Sequence, residues 1–78
     1  MSESNTLYGV FINGRFNTYI KYVAPELEQI KGFYHMEMES HKHSRHNDNT
    51  IIIIAFAPGE EIIPTYEWSL EHKVNNIG

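Results

Sequence analysis

Residues 7–23 read Leu-Tyr-Gly-Val-Phe-Ile-Asn-Gly-Arg-Phe-Asn-Thr-Tyr-Ile-Lys-Tyr-Val. The run is β-branched and aromatic, and it is interrupted by Asn13-Gly14. Both of those residues tolerate the positive φ of a tight turn, so the stretch predicts a β-hairpin. A two-residue turn sets the cross-strand pairs Ile12/Arg15, Phe11/Phe16, Val10/Asn17, Gly9/Thr18, Tyr8/Tyr19 and Leu7/Ile20. Side chains alternate across a strand, so one face carries Leu7, Phe11, Phe16 and Ile20 and is expected to meet the core. The other carries Tyr8, Val10, Ile12, Arg15, Asn17, Tyr19 and Lys21 and is only half apolar.

Working outward, the chain next predicts a short helix near 25–31, with Pro25 at its start, Glu26 and Glu28 early, Lys31 late and Gly32 just past the end. Leu27 and Ile30 are its anchors. Residues 33–43 alternate, Tyr34, Met36 and Met38 on one side and His35, Glu37, Glu39, His41 and His43 on the other, which predicts a half-exposed strand. On that reading Glu37 and Glu39 belong to a solvated face and not to a catalytic carboxylate pair, which needs a sheltered pocket. Residues 44–49 are expected to form a polar turn.

Residues 50–57, Thr-Ile-Ile-Ile-Ile-Ala-Phe-Ala, are apolar on both faces and predict a central strand, because four isoleucines at an open edge would invite aggregation. Pro58-Gly59-Glu60-Glu61 marks a turn. Residues 65–74 alternate again, Tyr66, Trp68, Leu70, His72 and Val74 against Glu67, Ser69, Glu71 and Lys73, and predict a last strand, with a helix as the alternative. Residues 1–6 and 75–78 are expected to fray.

The result is a mainly β fold with a minor α component, an antiparallel sheet or small half-barrel in the order β-β-α-β-β-β. One short helix cannot cover both faces of the isoleucine strand. The pattern therefore predicts barrel closure or cover by a second subunit, most simply in a homodimer.

At 78 residues the chain has room for one core and so for one domain, residues 1–78. Six Lys and Arg against ten Asp and Glu give a net charge of −4, the wrong sign for a surface that wraps nucleic acid. There is no cysteine, which excludes disulfides and thiolate chemistry and fits a reducing compartment. The polar N-terminal residues carry no basic, apolar leader pattern, so a cytoplasmic protein without a membrane segment is expected.

Three groups of residues are candidate sites. The outer hairpin face, Tyr8, Arg15, Asn17, Tyr19 and Lys21, combines aromatics with cations, the composition of a protein interface or of a platform for a nucleotide-like anion. Lys42 and Arg45 lie in an acid-free stretch and are candidate anion contacts. His41, His43, His46 and Asp48 carry imidazole and carboxylate groups that suit a transition metal, although their spacing matches no defined site and the neighbouring cations oppose it. No Walker loop, dinucleotide fingerprint or His-Glu-x-x-His motif occurs, and no cofactor is implied.

The first functional expectation is a small acidic, non-enzymatic binding protein. It would act as an inhibitor or accessory factor through protein contacts, as a homo-oligomer, with the size and composition seen in phage-like accessory proteins. The alternatives are sequestration of a small anionic ligand at a subunit interface and metal binding by the histidines.

Overall fold

The structure is a computed structural model and describes residues 6–14, 17–42 and 50–75, with the side chain of Lys42 excepted. The elements are β1 (Leu7–Asn13), β2 (Thr18–Ala24), α1 (Leu27–Lys42), β3 (Thr50–Phe56) and α2 (Tyr66–Glu71). The strands form one sheet in the order β2-β1-β3, antiparallel at both pairings. The mainly β, antiparallel framework with helical cover is thus present. Because β2 and β3 both run against β1, they are parallel to each other, and parallel strands need a long crossover, which α1 supplies.

β1 is central because its side chains suit both sides of a covered sheet. Val10 and Ile12 point to the face under α1, where they pack with Ala24, Ile30 and Ile53. Phe11 points the other way and packs with Ile52, Ile54, Phe56 and Trp68. The isoleucine run therefore divides its side chains between two cores.

Several expectations are corrected. The hairpin forms, but its last pair is Asn13↔Thr18, so the connection spans residues 14–17 and Gly14 N–H donates to the Asn17 carbonyl at 2.7 Å. Phe11 faces Ile20, Ile12 faces Tyr19, and past an irregularity in β2 Val10 faces Tyr22 and Tyr8 faces Ala24. Lys21 is the extra residue of that bulge. Bulging turns Lys21 and Tyr22 toward the same face, where a regular strand would alternate them.

The predicted strand over 33–43 is the continuation of the first helix, which runs through Gly32 to Lys42. Leu27, Ile30, Phe33 and Tyr34 face the sheet at helical spacing, with Glu37 buried one turn further on. The period-two pattern of Tyr34, Met36 and Met38 does not describe the fold, since both methionines are exposed on the helix's outer side. Gly32 is not a cap but an interior residue of α1 with open space around it.

The isoleucine strand is at the sheet edge and not at its centre. Its outer edge is closed from within the chain: Ala55 N–H donates to the His72 carbonyl at 2.9 Å and Val74 N–H to the Ile53 carbonyl at 2.8 Å, with a bridge between Ile54 and Lys73. Its far face is covered by Trp68 of α2, whose ring lies 6.3 Å from Phe11 and 6.2 Å from Phe56. The chain itself thus supplies contacts to the far face and the outer edge of this strand.

The predicted strand over 65–74 is instead the helix α2 followed by the short edge pairing at 72–74. Thr65 caps α2, its hydroxyl accepting from Trp68 N–H at 3.2 Å, which satisfies one of the orphan donors of the first turn. Ahead of it, Pro58 and Gly59 make the predicted turn. Glu60 N–H donates to the Ala57 carbonyl at 3.0 Å, and Gly59 takes φ 84°, the sign a type II turn demands at that position. Among the described residues no helix is long and apolar enough to cross a membrane.

Candidate functional surface

The register separates the residues of the outer hairpin face. Tyr8 lies opposite Ala24 and packs against the core under α1, whereas Tyr19 lies opposite Ile12 near the turn. Four strand positions separate them, roughly 13 Å, so they form no stacking platform. Asn17 is exposed in the connection, and Arg15 lies outside the described residues. Lys21 points to α1, where its ammonium sits 2.9 Å from Glu37 Oε2.

Glu37 is the centre of a polar cluster that the sequence did not disclose. Its side chain is 7% exposed, and Oε2 also accepts from the Tyr22 hydroxyl at 3.1 Å, while Oε1 lies 3.4 Å from His41 Nε2. Burial pushes the carboxyl up, but hydrogen bonds from Lys21 and Tyr22 together with the Lys21 charge outweigh it and hold Glu37 below the ordinary carboxylate range. The same bond to Glu37 is the main cause that raises Lys21 and Tyr22 above their ordinary values. The Tyr22 ring stacks on Phe33 at 4.3 Å, which fixes the phenol where it meets the carboxylate. The expected solvated face at Glu37 is thus a buried carboxylate paired with a half-exposed lysine, and the pair pins β2 to α1.

Of the metal candidates, His41 stands on α1 one turn after Glu37, and His43, His46 and Asp48 lie outside the described residues. Among the described residues no group of three or more His, Cys, Asp or Glu converges as a metal site would require. Of the anion candidates, Lys42 ends α1 and its side chain lies outside the described set, as does Arg45.

A second cluster surrounds His72 at the end of α2. Its Nδ1 lies 2.8 Å from the Trp68 carbonyl and its Nε2 2.6 Å from Glu60 Oε2. The ring stacks on Trp68 at 4.1 Å. The other oxygen of Glu60 accepts from Ala57 N–H at 3.0 Å. Glu60 therefore ties the loop after β3 to α2.

That clamp positions an accessible apolar stretch. Ile62 (40%), Ile63 (49%), Tyr66 (42%) and Leu70 (48%) are all exposed. On α2, Trp68 and Ser69 are buried, which turns two i,i+4 rows outward, Tyr66 with Leu70 and Glu67 with Glu71. Glu60 and Glu61 precede them, and residues 57–72 hold no Lys or Arg. The signal for this surface was in the sequence as Pro64-Thr65 ahead of Glu67, a helix start. The alternation through Trp68 masked it.

Comparison with known proteins finds no matching family model, no matching curated protein and no matching solved structure.

Proposed function

We propose that the protein is a small acidic binding module without catalytic activity, which recognises another protein through the outer side of α2 and the loop ahead of it. The observation that carries this reading is the exposure of Ile62, Ile63, Tyr66 and Leu70 within ten residues, where the other exposed large apolar side chains among the described residues, Tyr19 with Val23 and Met36 with Met38, fall only in pairs. Contiguous exposed apolar side chains, with an aromatic among them and a charged surround, are what protein contacts bury.

Among the described residues, the two convergent groups of titratable side chains around Glu37 and His72 favour a non-enzymatic role. Both oxygens of Glu37 and both ring nitrogens of His72 face partners within the fold, so each cluster acts as a structural tie. The alternative of a nucleotide-like anion held by Tyr8, Arg15, Tyr19 and Lys21 loses support, because the tyrosines stand apart and the Lys21 ammonium is neutralised by Glu37.

The test is a comparative pulldown from the source cell. The intact chain is set against a variant with Ile62→Ser, Ile63→Ser, Tyr66→Ser and Leu70→Ser, after circular dichroism shows the same fold. A protein retained by the intact chain and lost by the variant supports the reading. Equal recovery on both overturns this surface. A nucleotide panel in a thermal-shift assay should leave the melting temperature unmoved, whereas a ligand at a hundred times its Kd would stabilise the fold by about 2.7 kcal/mol.

A further inference from the structure

We propose that α2 is a docking site for a basic amphipathic helix of the partner protein; the inference rests on the protein-binding reading above and names the chemistry of its partner. Helices pack by setting the side-chain rows of one into the grooves of the other, and the rows at i,i+4 spacing are the ones most used. The outward side of α2 presents two such rows side by side, apolar Tyr66 and Leu70 and acidic Glu67 and Glu71. A complementary helix carries an apolar stripe flanked by Lys or Arg. The apolar row supplies the buried contact, and the acidic row selects the partner and sets its orientation.

Charge decides among the possible occupants. A second copy docked two-fold on this face would set the acidic row against its own equivalent with the helices antiparallel, or against the apolar row with them parallel, both unfavourable. Anionic lipid and nucleic acid are repelled for the same reason, since Glu61, Glu67 and Glu71 remain on this stretch after Glu60 is paired with His72, and residues 57–72 hold no Lys or Arg. α2 itself is six residues long, too short to bind a helix along its whole length. Ile62 and Ile63, exposed just ahead of the cap, extend the apolar contact in the direction of the chain.

The experiment titrates the full chain into three labelled peptides of about 18 residues, read by fluorescence anisotropy. All share one leucine stripe at i, i+3, i+4, i+7, and their remaining positions are filled with Ala plus Lys, Gln or Glu. The Lys peptide is expected to bind about tenfold more tightly than the Gln peptide at low salt and the Glu peptide least, with the gap closing as salt screens the charges. The pair Glu67→Gln and Glu71→Gln should erase the Lys preference, and Tyr66→Ser with Leu70→Ser should abolish binding at unchanged melting temperature.

Equal affinity for the Lys and Gln peptides overturns the charge selection but leaves protein binding at α2 standing. Undiminished Lys-peptide binding to the Tyr66→Ser, Leu70→Ser variant means diffuse ionic attraction and overturns both. If none of the three peptides binds, the helical partner is wrong, and the pulldown decides the broader reading on its own.

Discussion

His72 has an oxygen in front of each ring nitrogen, the Trp68 carbonyl and the Glu60 carboxylate. A neutral imidazole owns one N–H and can satisfy only one of them, whereas the imidazolium satisfies both. Burial is the largest single influence and opposes the charge, but the Trp68 carbonyl and Glu60 together raise His72 above its ordinary 6.5. Glu60 in turn is held below 4.5, first by the Ala57 amide and then by His72. The raised histidine contributes stability that is full below 6.5 and lost as pH climbs through the folded value. The lowered carboxylate contributes above 4.5 and is lost as pH falls through its own folded value. The clamp is therefore strongest between the two. In an NMR titration the His72 ring should show a midpoint above 6.5, and a midpoint at or below it would refute the doubly bonded imidazolium. The protein has a single tryptophan, so its emission, quenched by the stacked cation, should rise through the same midpoint and should not respond in His72→Gln. Two glycines make opposite predictions. Gly32 sits inside α1 with nothing within 4 Å of an added Cβ, so Gly32→Ala should stabilise the fold by about 0.5–1 kcal/mol in urea unfolding. At Gly9 a Cβ would lie 3.0 Å from the Tyr22 carbonyl and 3.3 Å from Ile20 Cγ2, so Gly9→Ala should cost roughly 1–3 kcal/mol through overpacking.

Among the elements, the joint between β2 and α1 depends on one bulge. Without the extra residue, Lys21 and Tyr22 would point to opposite faces and only one could reach Glu37. Breaking a fully buried ion pair costs about 3–5 kcal/mol, but the Lys21 side chain is 44% exposed and water screens it. Glu37→Ala should therefore cost roughly 1–3 kcal/mol. Since Glu37 is held below 4.5, its contribution is present above that value and disappears on acidification, so the variant should also flatten the acid limb of the stability curve. A variant with an unchanged acid limb would remove Glu37 from that role. The same joint explains what the sequence left illegible. The hairpin was visible in the apolar runs on either side of Asn13-Gly14, but its register was not, because the connection takes up residues 14–17 instead of two. The first four inward positions of α1, Leu27, Ile30, Phe33 and Tyr34, have helical spacing. The stripe then meets Glu37, an acid whose partners lie on another element, and no local pattern predicts a buried charge. Likewise α2 announces itself through Thr65, its cap, while Tyr66, Trp68, Leu70 and His72 imitate a strand because the polar residues between them happen to fall at every second position. The candidate surface on α2 was not legible: the sequence pointed to the hairpin face instead, and the outward turn of Tyr66 and Leu70 follows from burying Trp68, which the strand-like alternation concealed.

For the whole molecule, protection should follow coverage. β1 is paired along both edges and covered on both faces, with Val10, Phe11 and Ile12 fully buried. Hydrogen exchange at its amides should therefore require global unfolding. α2 is two turns held by Trp68 and the His72 clamp, and its amides should exchange by a smaller opening; equal protection in β1 and α2 would instead make the molecule a single cooperative unit. The sequence pI is about 5.6, so solubility should pass through a minimum in mild acid, read by turbidity against pH. The order of the strands has a further consequence for biosynthesis. The central strand is the first to be made, and one neighbour follows at once as the hairpin, but the other is the isoleucine strand about forty residues later, as in the pair Ile12↔Ile51. At about 5–20 residues per second, a nascent chain holds one side of its central strand open for some seconds. The isoleucine strand is synthesised only when the hairpin and α1 are already there to receive it, and the residues that seal its outer edge follow it.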